Sequence, residues 1–95
     1  MKSRDEYIIR MQEKLAEWDT EINMLVARGD EIAADVKAEY KEQIDMLKAK
    51  QVVARKKVEE LQQAGDSAWN DLKSGIEVAR FAMKEAIDSA RARFR

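Results

Sequence analysis

Residues 22–40 read INMLVARGDEIAADVKAEY, and they decide whether the first half of the chain is one long helix or two shorter ones. Apolar side chains recur here at steps of three or four residues, and Gly29 occupies the step between Leu25 and Ile32. A loop has no reason to preserve this phase, and a single glycine inside a helix costs only about 1 kcal/mol. We therefore expect the helix to continue through Gly29, with a turn at that residue as the alternative.

The same apolar stripe extends in both directions from this segment, and no proline interrupts it. Such steps place the side chains on one side of a helix, the arrangement in which two helices bury a common seam. From Ile32 to Ile44 every step is four residues long, a stutter that unwinds a supercoil locally without ending the helix. The stripe comprises Ile8, Met11, Leu15, Trp18, Ile22, Leu25, Gly29, Ile32, Val36, Tyr40, Ile44, Leu47, Gln51, Ala54, Val58 and Leu61.

The clearest helix boundary is the sequence QAGDS at residues 63–67. Gly65 suits the left-handed conformation that closes a helix, and the polar residues after it can cap the next helix. At the start of the chain, Ser3 and Glu6 match a capping box, so the first helix should begin near residue 3. A second stripe follows the boundary and comprises Trp69, Leu72, Ile76, Ala79, Met83, Ile87, Ala90 and Phe94.

These signals predict an all-α fold. One coiled-coil domain over residues 1–95 would contain a helix over about 3–64, a turn at 65–66 and a second helix over about 67–94. The second helix would fold back to form an antiparallel coiled-coil hairpin, with a close approach of the two helices at Gly75. The side chains expected to hold this hairpin together are Leu61, Trp69, Leu72, Ile76 and Met83.

The unequal lengths of the two helices predict self-association. At 1.5 Å per residue, the first helix would extend about 45 Å beyond the end of the second. That extension carries an apolar stripe without an intrachain partner, so we expect a homodimer or a higher assembly, antiparallel rather than parallel. The alternative is a monomeric three-helix bundle with its first turn at Gly29, because its three helices would be similar in length. The interface residues of the predicted dimer are Leu15, Trp18, Ile22, Leu25 and Ile32.

The composition bears on function. The chain has 95 residues, with 18 basic and 19 acidic side chains, and it lacks both Cys and His. The near balance of charge argues against a nucleic-acid binder. Without Cys there is no thiolate chemistry, and without His the commonest general base and metal ligand is missing, so we expect no enzymatic activity, cofactor or metal site. The absence of a secretory signal and of an 18-residue apolar run favours a cytoplasmic protein.

A basic cluster lies between Asp45 and Glu59, with no acidic residue inside it. Such a cluster can bind an anionic membrane surface, and a peripheral membrane binder is therefore the alternative function. The preferred interpretation is a solvated flank with pairs four residues apart, Arg55 with Glu59 and Lys56 with Glu60. The cluster comprises Lys48, Lys50, Arg55, Lys56 and Lys57.

Two large apolar residues, Val78 and Phe81, lie off the second stripe. We expect them to form a second packing face against another subunit; the alternative is that, with Phe94 and the terminal arginines, they make the last helix weakly membrane-active. The function that these patterns favour is a non-enzymatic coiled-coil interaction protein that self-associates, with a further protein partner left open.

The segment GDSAWNDLKSG at residues 65–75 is the most specific part of the chain, because a tryptophan near a helix start is rarer than generic coiled-coil pattern. Together with RDEY at 4–7, LAEWD at 15–19 and KAEY at 37–40, it resembles a family of small bacterial coiled-coil proteins of poorly known function, some of them labelled stress-response proteins. The resemblance covers almost the whole chain. It implies an all-helical cytoplasmic protein without established catalytic activity, and it implies no functional residues.

Overall fold

The fold is all-α, as predicted. A computed structural model describes residues 2–94, and no strand occurs among them. Three long helices contain most of these residues, and the first two are joined by short 3-10 helices over 28–31 and 34–36. The long helices are α1 (Lys2–Ala27), α2 (Lys37–Gln62) and α3 (Asp66–Arg93).

The three helices lie side by side in a body of 50 × 18 × 17 Å. α2 runs antiparallel to α1, and the Gln51 side chain of α2 is hydrogen-bonded to the Leu15 carbonyl of α1. α3 runs antiparallel to α2, and the ring of Phe94, just after α3, lies 5.0 Å from the ring of Tyr40 near the start of α2. α1 and α3 are therefore parallel to each other.

The structure differs from the expected continuous helix at residues 28–36. α1 ends at Ala27, and the chain reverses where Ile32 (φ −79°, ψ 135°) and Ala33 (φ −59°, ψ 143°) adopt extended backbone. Folding back buries the apolar stripe of α1 inside the same chain, and each large side chain gains about 1.5–3 kcal/mol on full burial. That gain exceeds the loss of a few helical hydrogen bonds at the turn, each of which contributes about 0.5–1.5 kcal/mol net.

The apolar phase that suggested continuity has a different cause. Ile32 lies within the turn but is only 8% exposed, so it fills the core where α1 and α2 meet. Helical 3-10 backbone flanks the turn on both sides, and the spacing of the stripe residues therefore stays close to that of a helix. The phase reports which residues are buried and does not report whether the helix continues.

Both predicted stripes supply the core. Leu47 of α2 and Met83 of α3 have no exposed surface, and Gln51 is the one polar residue among the buried residues of the described range. Ile8 and Val36, which complete the first stripe, are partly buried against this core. The core comprises Met11, Leu15, Trp18, Ile22, Leu25, Ile32, Tyr40, Ile44, Leu47, Ala54, Val58, Leu61, Ile76, Met83, Ile87, Ala90 and Phe94.

The second turn lies between Gln62 and Asp66, within two residues of the expected place. Gly65 is extended (φ −80°, ψ 177°), so the left-handed conformation expected for it is wrong. Its carbonyl oxygen accepts hydrogen bonds from the N–H groups of Ala68 and Trp69, and α3 starts without a side-chain cap.

The close approach of two helices expected at Gly75 is also not found. A Cβ atom built on Gly75 would lie 3.8 Å from Nζ of Lys57, the flexible end of a long side chain, and no described backbone atom of another helix comes within 4 Å of it. The backbones of α2 and α3 therefore leave room for a side chain at this position.

Candidate interaction surfaces

The residues predicted to join two copies are buried within one chain. α1 has its apolar partners in α2 and α3, so the unpartnered extension that predicted the dimer does not exist. Burial within the chain removes the original reason for placing a dimer interface at these positions. Their exposed fractions are 6% for Leu15, 5% for Trp18, 4% for Ile22, 2% for Leu25 and 8% for Ile32.

The residues expected to hold α2 and α3 together lie at or beside the core. Leu61, Ile76 and Met83 are buried, with exposed fractions of 2% or less. Trp69 and Leu72 are partly buried and pack against the same core near the second turn.

A polar network crosses between α1 and α2. Nε2 of Gln51 donates to the Leu15 carbonyl oxygen at 2.8 Å and to Oδ1 of Asp19 at 2.9 Å. Nη2 of Arg55 lies 2.8 Å from the other carboxylate oxygen of Asp19. Oε1 of Gln51 has no partner among the described residues, which offsets part of the stability that the two hydrogen bonds of Nε2 provide. A buried polar side chain of this kind fixes the register of two packed helices.

At one end of the body, polar contacts tie all three helices together. The buried Tyr40 hydroxyl donates to the Leu25 carbonyl oxygen, one of the last carbonyls of α1. Nη2 of Arg28 donates to the Phe94 carbonyl oxygen at 2.8 Å, and Arg93 forms an ion pair of 2.7 Å with Glu39. Burial raises the pKa of the Tyr40 hydroxyl above its ordinary value, at which a tyrosine is already a protonated donor at neutral pH.

At the opposite end, an aromatic pair joins α1 and α3. The rings of Tyr7 and Trp69 meet edge to face at 6.1 Å, and the guanidinium of Arg4 lies 4.6 Å from the Trp69 ring centre. The Tyr7 hydroxyl donates to the Glu77 carboxylate. Burial raises the pKa of this hydroxyl, and the hydrogen bond to Glu77 raises it further. The tryptophan that dominated the sequence pattern therefore has a packing role.

The five residues of the basic cluster do not form one patch. Arg55 faces α1, where it pairs with Asp19, and Lys57 faces α3, where it lies beside Gly75. Neither of the two pairs expected four residues apart is found among the described ion pairs. Lys50 and Lys57 are seven residues apart and share one side of α2, whereas Lys48 and Arg55 share the other and Lys56 projects between them. α2 thus divides the cluster between two faces, which disfavours a single anion-binding surface.

Large apolar side chains are exposed where α2 and α3 lie next to each other. Met46 and Val53 of α2 are 52% and 51% exposed, and Val78 of α3 is 70% exposed. Met46, Lys50, Val53 and Lys57 follow one another at steps of four, three and four residues, so they share one side of the helix. Because Lys57 lies beside Gly75, this side of α2 borders α3.

α3 presents a corresponding row of mostly small side chains around Val78, with an acidic residue towards each end. Phe81, 65% exposed, lies one turn from Val78 at the margin of this row. Sequence reasoning found Val78 and Phe81 but missed Met46 and Val53, although both are apolar residues off the stripe of a highly charged helix. We refer to the combined surface as the α2–α3 face; it comprises Met46, Lys50, Val53 and Lys57 with Asp71, Gly75, Val78, Ala82 and Glu85.

A shallow groove of about 440 Å³ lies between the end of α1 and the start of α2, with Tyr40 and Ile44 among its lining residues. No group of three or more Asp and Glu residues within 2–94 is placed to hold a metal ion. Over the same range, no helix combines the length and the apolar character needed to cross a membrane. Comparison of the chain with protein-family models, with curated proteins and with solved structures gave no match.

Proposed function

We propose that this chain is a non-enzymatic helical interaction protein that self-associates, and that two copies meet through the α2–α3 face. The observation that carries this proposal is the exposure of Met46, Val53 and Val78 on adjoining sides of two neighbouring helices. Large apolar side chains on adjoining sides of two helices are costly to leave in water, and their burial against a second copy removes that cost.

Charge complementarity supports a second copy of this chain as the occupant. On the α2–α3 face, α2 contributes Lys50 and Lys57, and α3 contributes Asp71 and Glu85. A two-fold axis parallel to the helices would place α2 of each copy over α3 of the other. Basic residues would then oppose acidic ones at two equivalent places, which favours this orientation over one that pairs α2 with α2.

A peripheral membrane binder remains the alternative function, but the geometry supports it less well. The basic cluster is divided between two sides of α2, and Arg55 is already paired with Asp19. The exposed apolar side of α3 carries acidic residues, which an anionic lipid surface repels. Binding to acidic vesicles should therefore be weak and vanish near physiological salt, where exposed charges are screened. A role in stress is a proposal that rests on the resemblance described above, and a cytoplasmic location is a proposal that rests on that resemblance and on the sequence features given with it.

Two adjacent valines of α2 provide a matched test of the proposed face. Val53→Asp places a charge in the α2–α3 face, whereas Val52→Asp makes the same change at a residue that is 67% exposed and lies on the α1 side. Sedimentation velocity over a concentration series should show dimers for the parent chain and for Val52→Asp, and a loss of dimers for Val53→Asp. Equal dimer fractions for the two variants, or a monomeric parent chain at high micromolar concentration, would overturn the proposal.

A further inference from the structure

We infer that two copies of this chain can exchange α1 by opening the turn at Ile32–Ala33, which we call the hinge. The product is a domain-swapped dimer in which residues 2–62 of each copy form one helix. In this dimer, α1 of one copy packs on α2 and α3 of the other. The exchange goes beyond the proposed association through the α2–α3 face, because it uses the core contacts of the fold rather than its outer surface.

The backbone of the turn presents little obstacle to opening. Ile32 and Ala33 have ψ angles of 135° and 143°, and the segments on both sides of them are already 3-10 helices. Rotating these two ψ angles to about −42° gives helical backbone. The turn contains no proline, and no described residue has a positive φ. Rotation of ψ at these two residues, a smaller adjustment at Val36 (φ −115°, ψ 6°) and widening of the neighbouring 3-10 segments to α-helix therefore convert the turn into helix.

The preserved apolar phase gives the opened form a continuous seam. Leu25, Ile32, Val36 and Tyr40 would all lie on one side of the long helix, because successive residues are seven, four and four apart. A turn between two fixed helices does not require this spacing. Here the same residues that fill the core of the closed chain would line the interface of the exchanged dimer.

The register of α1 on α2 places a two-fold axis at the hinge. The Leu15 carbonyl oxygen accepts a hydrogen bond from the Gln51 side chain, and Ala33 lies halfway along the chain between these two residues. The Leu25 carbonyl oxygen accepts a hydrogen bond from the Tyr40 hydroxyl, and the midpoint of that pair along the chain falls between Ile32 and Ala33. The contacts of Asp19 with Gln51 and with Arg55 have midpoints at residues 35 and 37, so two long antiparallel helices in this register would cross their axis at the hinge or just after it. The contacts of α1 with α2 would then form between copies with unchanged geometry.

α3 leaves the hinge accessible in such a dimer. Its last residue, Arg93, pairs with Glu39, and Phe94 packs on Tyr40, so α3 ends several residues short of Ala33. Near the two-fold axis, the hinge of each long helix would therefore pack against the long helix of the other copy. The hydrogen bond from Arg28 to the Phe94 carbonyl would re-form between copies, since Arg28 moves together with α1.

Cross-linking of two single-cysteine variants tests the exchange. The chain has no cysteine of its own, and Asp19 and Arg55 are in contact across α1 and α2. Asp19→Cys and Arg55→Cys chains are mixed, unfolded, refolded together at high micromolar concentration and treated with a short bismaleimide. The exchanged dimer places position 19 of one chain beside position 55 of the other. The predicted product, called the mixed product below, is a cross-link between position 19 of one chain and position 55 of the other. Cross-links between two copies of the same variant should be rare, because position 19 would lie about 40 Å and position 55 about 65 Å from the same position in the other copy.

Two hinge variants and one surface variant separate this inference from the proposed function. Ala33→Pro suits the closed turn, since φ is −59° and no hydrogen bond from the Ala33 N–H is found, but proline disrupts a continuous helix. Ala33→Pro should therefore remove the mixed product. Gly29→Ala favours helix and should increase the yield of the mixed product several-fold. Val53→Asp should leave its yield unchanged.

The exchange would be overturned if chains with the unchanged hinge gave no mixed product. It would also be overturned if Ala33→Pro did not lower the yield of the mixed product. Circular dichroism shows whether Ala33→Pro is folded. If it is unfolded, the increase in mixed product expected for Gly29→Ala tests the exchange independently. A mixed product that Val53→Asp abolishes would assign the contact to the α2–α3 face instead. Loss of dimers in Val53→Asp that has not been unfolded, together with a retained cross-link after refolding, would support both proposals.

Discussion

The two turns of this chain differ in how clearly the sequence marks them. Residues 63–65 contain no large apolar side chain and precede polar residues, and a helix boundary is found there. Residues 28–36 contain Ile32, which is buried, and Val36, which is partly buried, and the chain reverses there as well. The comparison teaches that a turn can be built from core residues when the two helices that it joins bury each other.

The largest expected effect comes from charging α1. Trp18→Glu together with Ile22→Glu places two carboxylates at positions that are 5% and 4% exposed. The double variant should lose more than about 4 kcal/mol of stability, because buried charges have no partner there. Thermal unfolding followed by circular dichroism should show that the whole chain is unfolded.

The hairpin with a continuous long helix predicts another outcome, in which the double variant becomes a monomer and the hairpin of residues 36–94 stays folded. Met24→Glu is the control, since Met24 lies on α1 but is 59% exposed. A folded, helical double variant would contradict the arrangement in which α1 packs inside its own chain.

Ile32→Ala sharpens the contrast between the two turns. Removing most of a buried side chain leaves a cavity, so this change should cost about 2–4 kcal/mol even though it lies in a turn. Ala64→Ser in the second turn should change stability by less than about 1 kcal/mol. Urea unfolding measures both variants. Equal losses would mean that Ile32 does not contribute to the core.

Much of the fold could be predicted from periodicity alone. Both stripes and the second turn followed from apolar spacing and from the sequence around Gly65, because helices must bury one side. The first turn could not be found in this way, since Ile32 and Ala33 carry no local signal for extended backbone. The division of the basic cluster follows from spacing once residues 37–62 are helical, because Lys50 and Lys57 share one side and Lys48 and Arg55 share the other. Which helix lies on each side of α2 could not be predicted in this way.

Tyr40→Phe tests how the end of the first turn is held. The change leaves the Leu25 carbonyl without its hydroxyl donor and should cost about 1–2 kcal/mol. Tyr7→Phe, at the opposite end of the body, should cost less, because Tyr7 is only partly buried. Urea unfolding at neutral pH compares the two, and a larger loss for Tyr7→Phe would contradict this ranking.

Alkaline unfolding gives a second measure of both tyrosines. The folded chain raises the pKa of the Tyr7 and Tyr40 hydroxyls, while an unfolded tyrosine ionises near pH 10. Their stabilisation is therefore complete below about pH 10 and decreases as the pH rises above it. The decrease should be smaller in Tyr40→Phe than in the parent chain. A parent chain whose stability is constant up to pH 11 would contradict the burial of these hydroxyls.

The smallest expected effects come from the two turn glycines. A Cβ at Gly29 would make an ordinary contact of 3.9 Å with Tyr40, so Gly29→Ala should stabilise by about 0.4–1 kcal/mol. Gly65→Ala should be close to neutral, because alanine is a poorer helix cap and this loss offsets the gain in chain entropy. Melting temperatures at low protein concentration measure both. A destabilised Gly29→Ala would indicate a backbone that alanine cannot adopt.

The reversal of the chain at Ile32–Ala33 is the central claim, and one distance tests it most directly. Ala16 of α1 and Glu59 of α2 line the same groove, so spin labels on Ala16→Cys and Glu59→Cys should lie within about 25 Å of each other in a chain that folds back. A continuous helix would separate them by about 65 Å. The measurement is made by electron–electron resonance at low concentration, with excess unlabelled chain so that labels on different copies do not pair. A short distance is the predicted result, and a single long distance would contradict it.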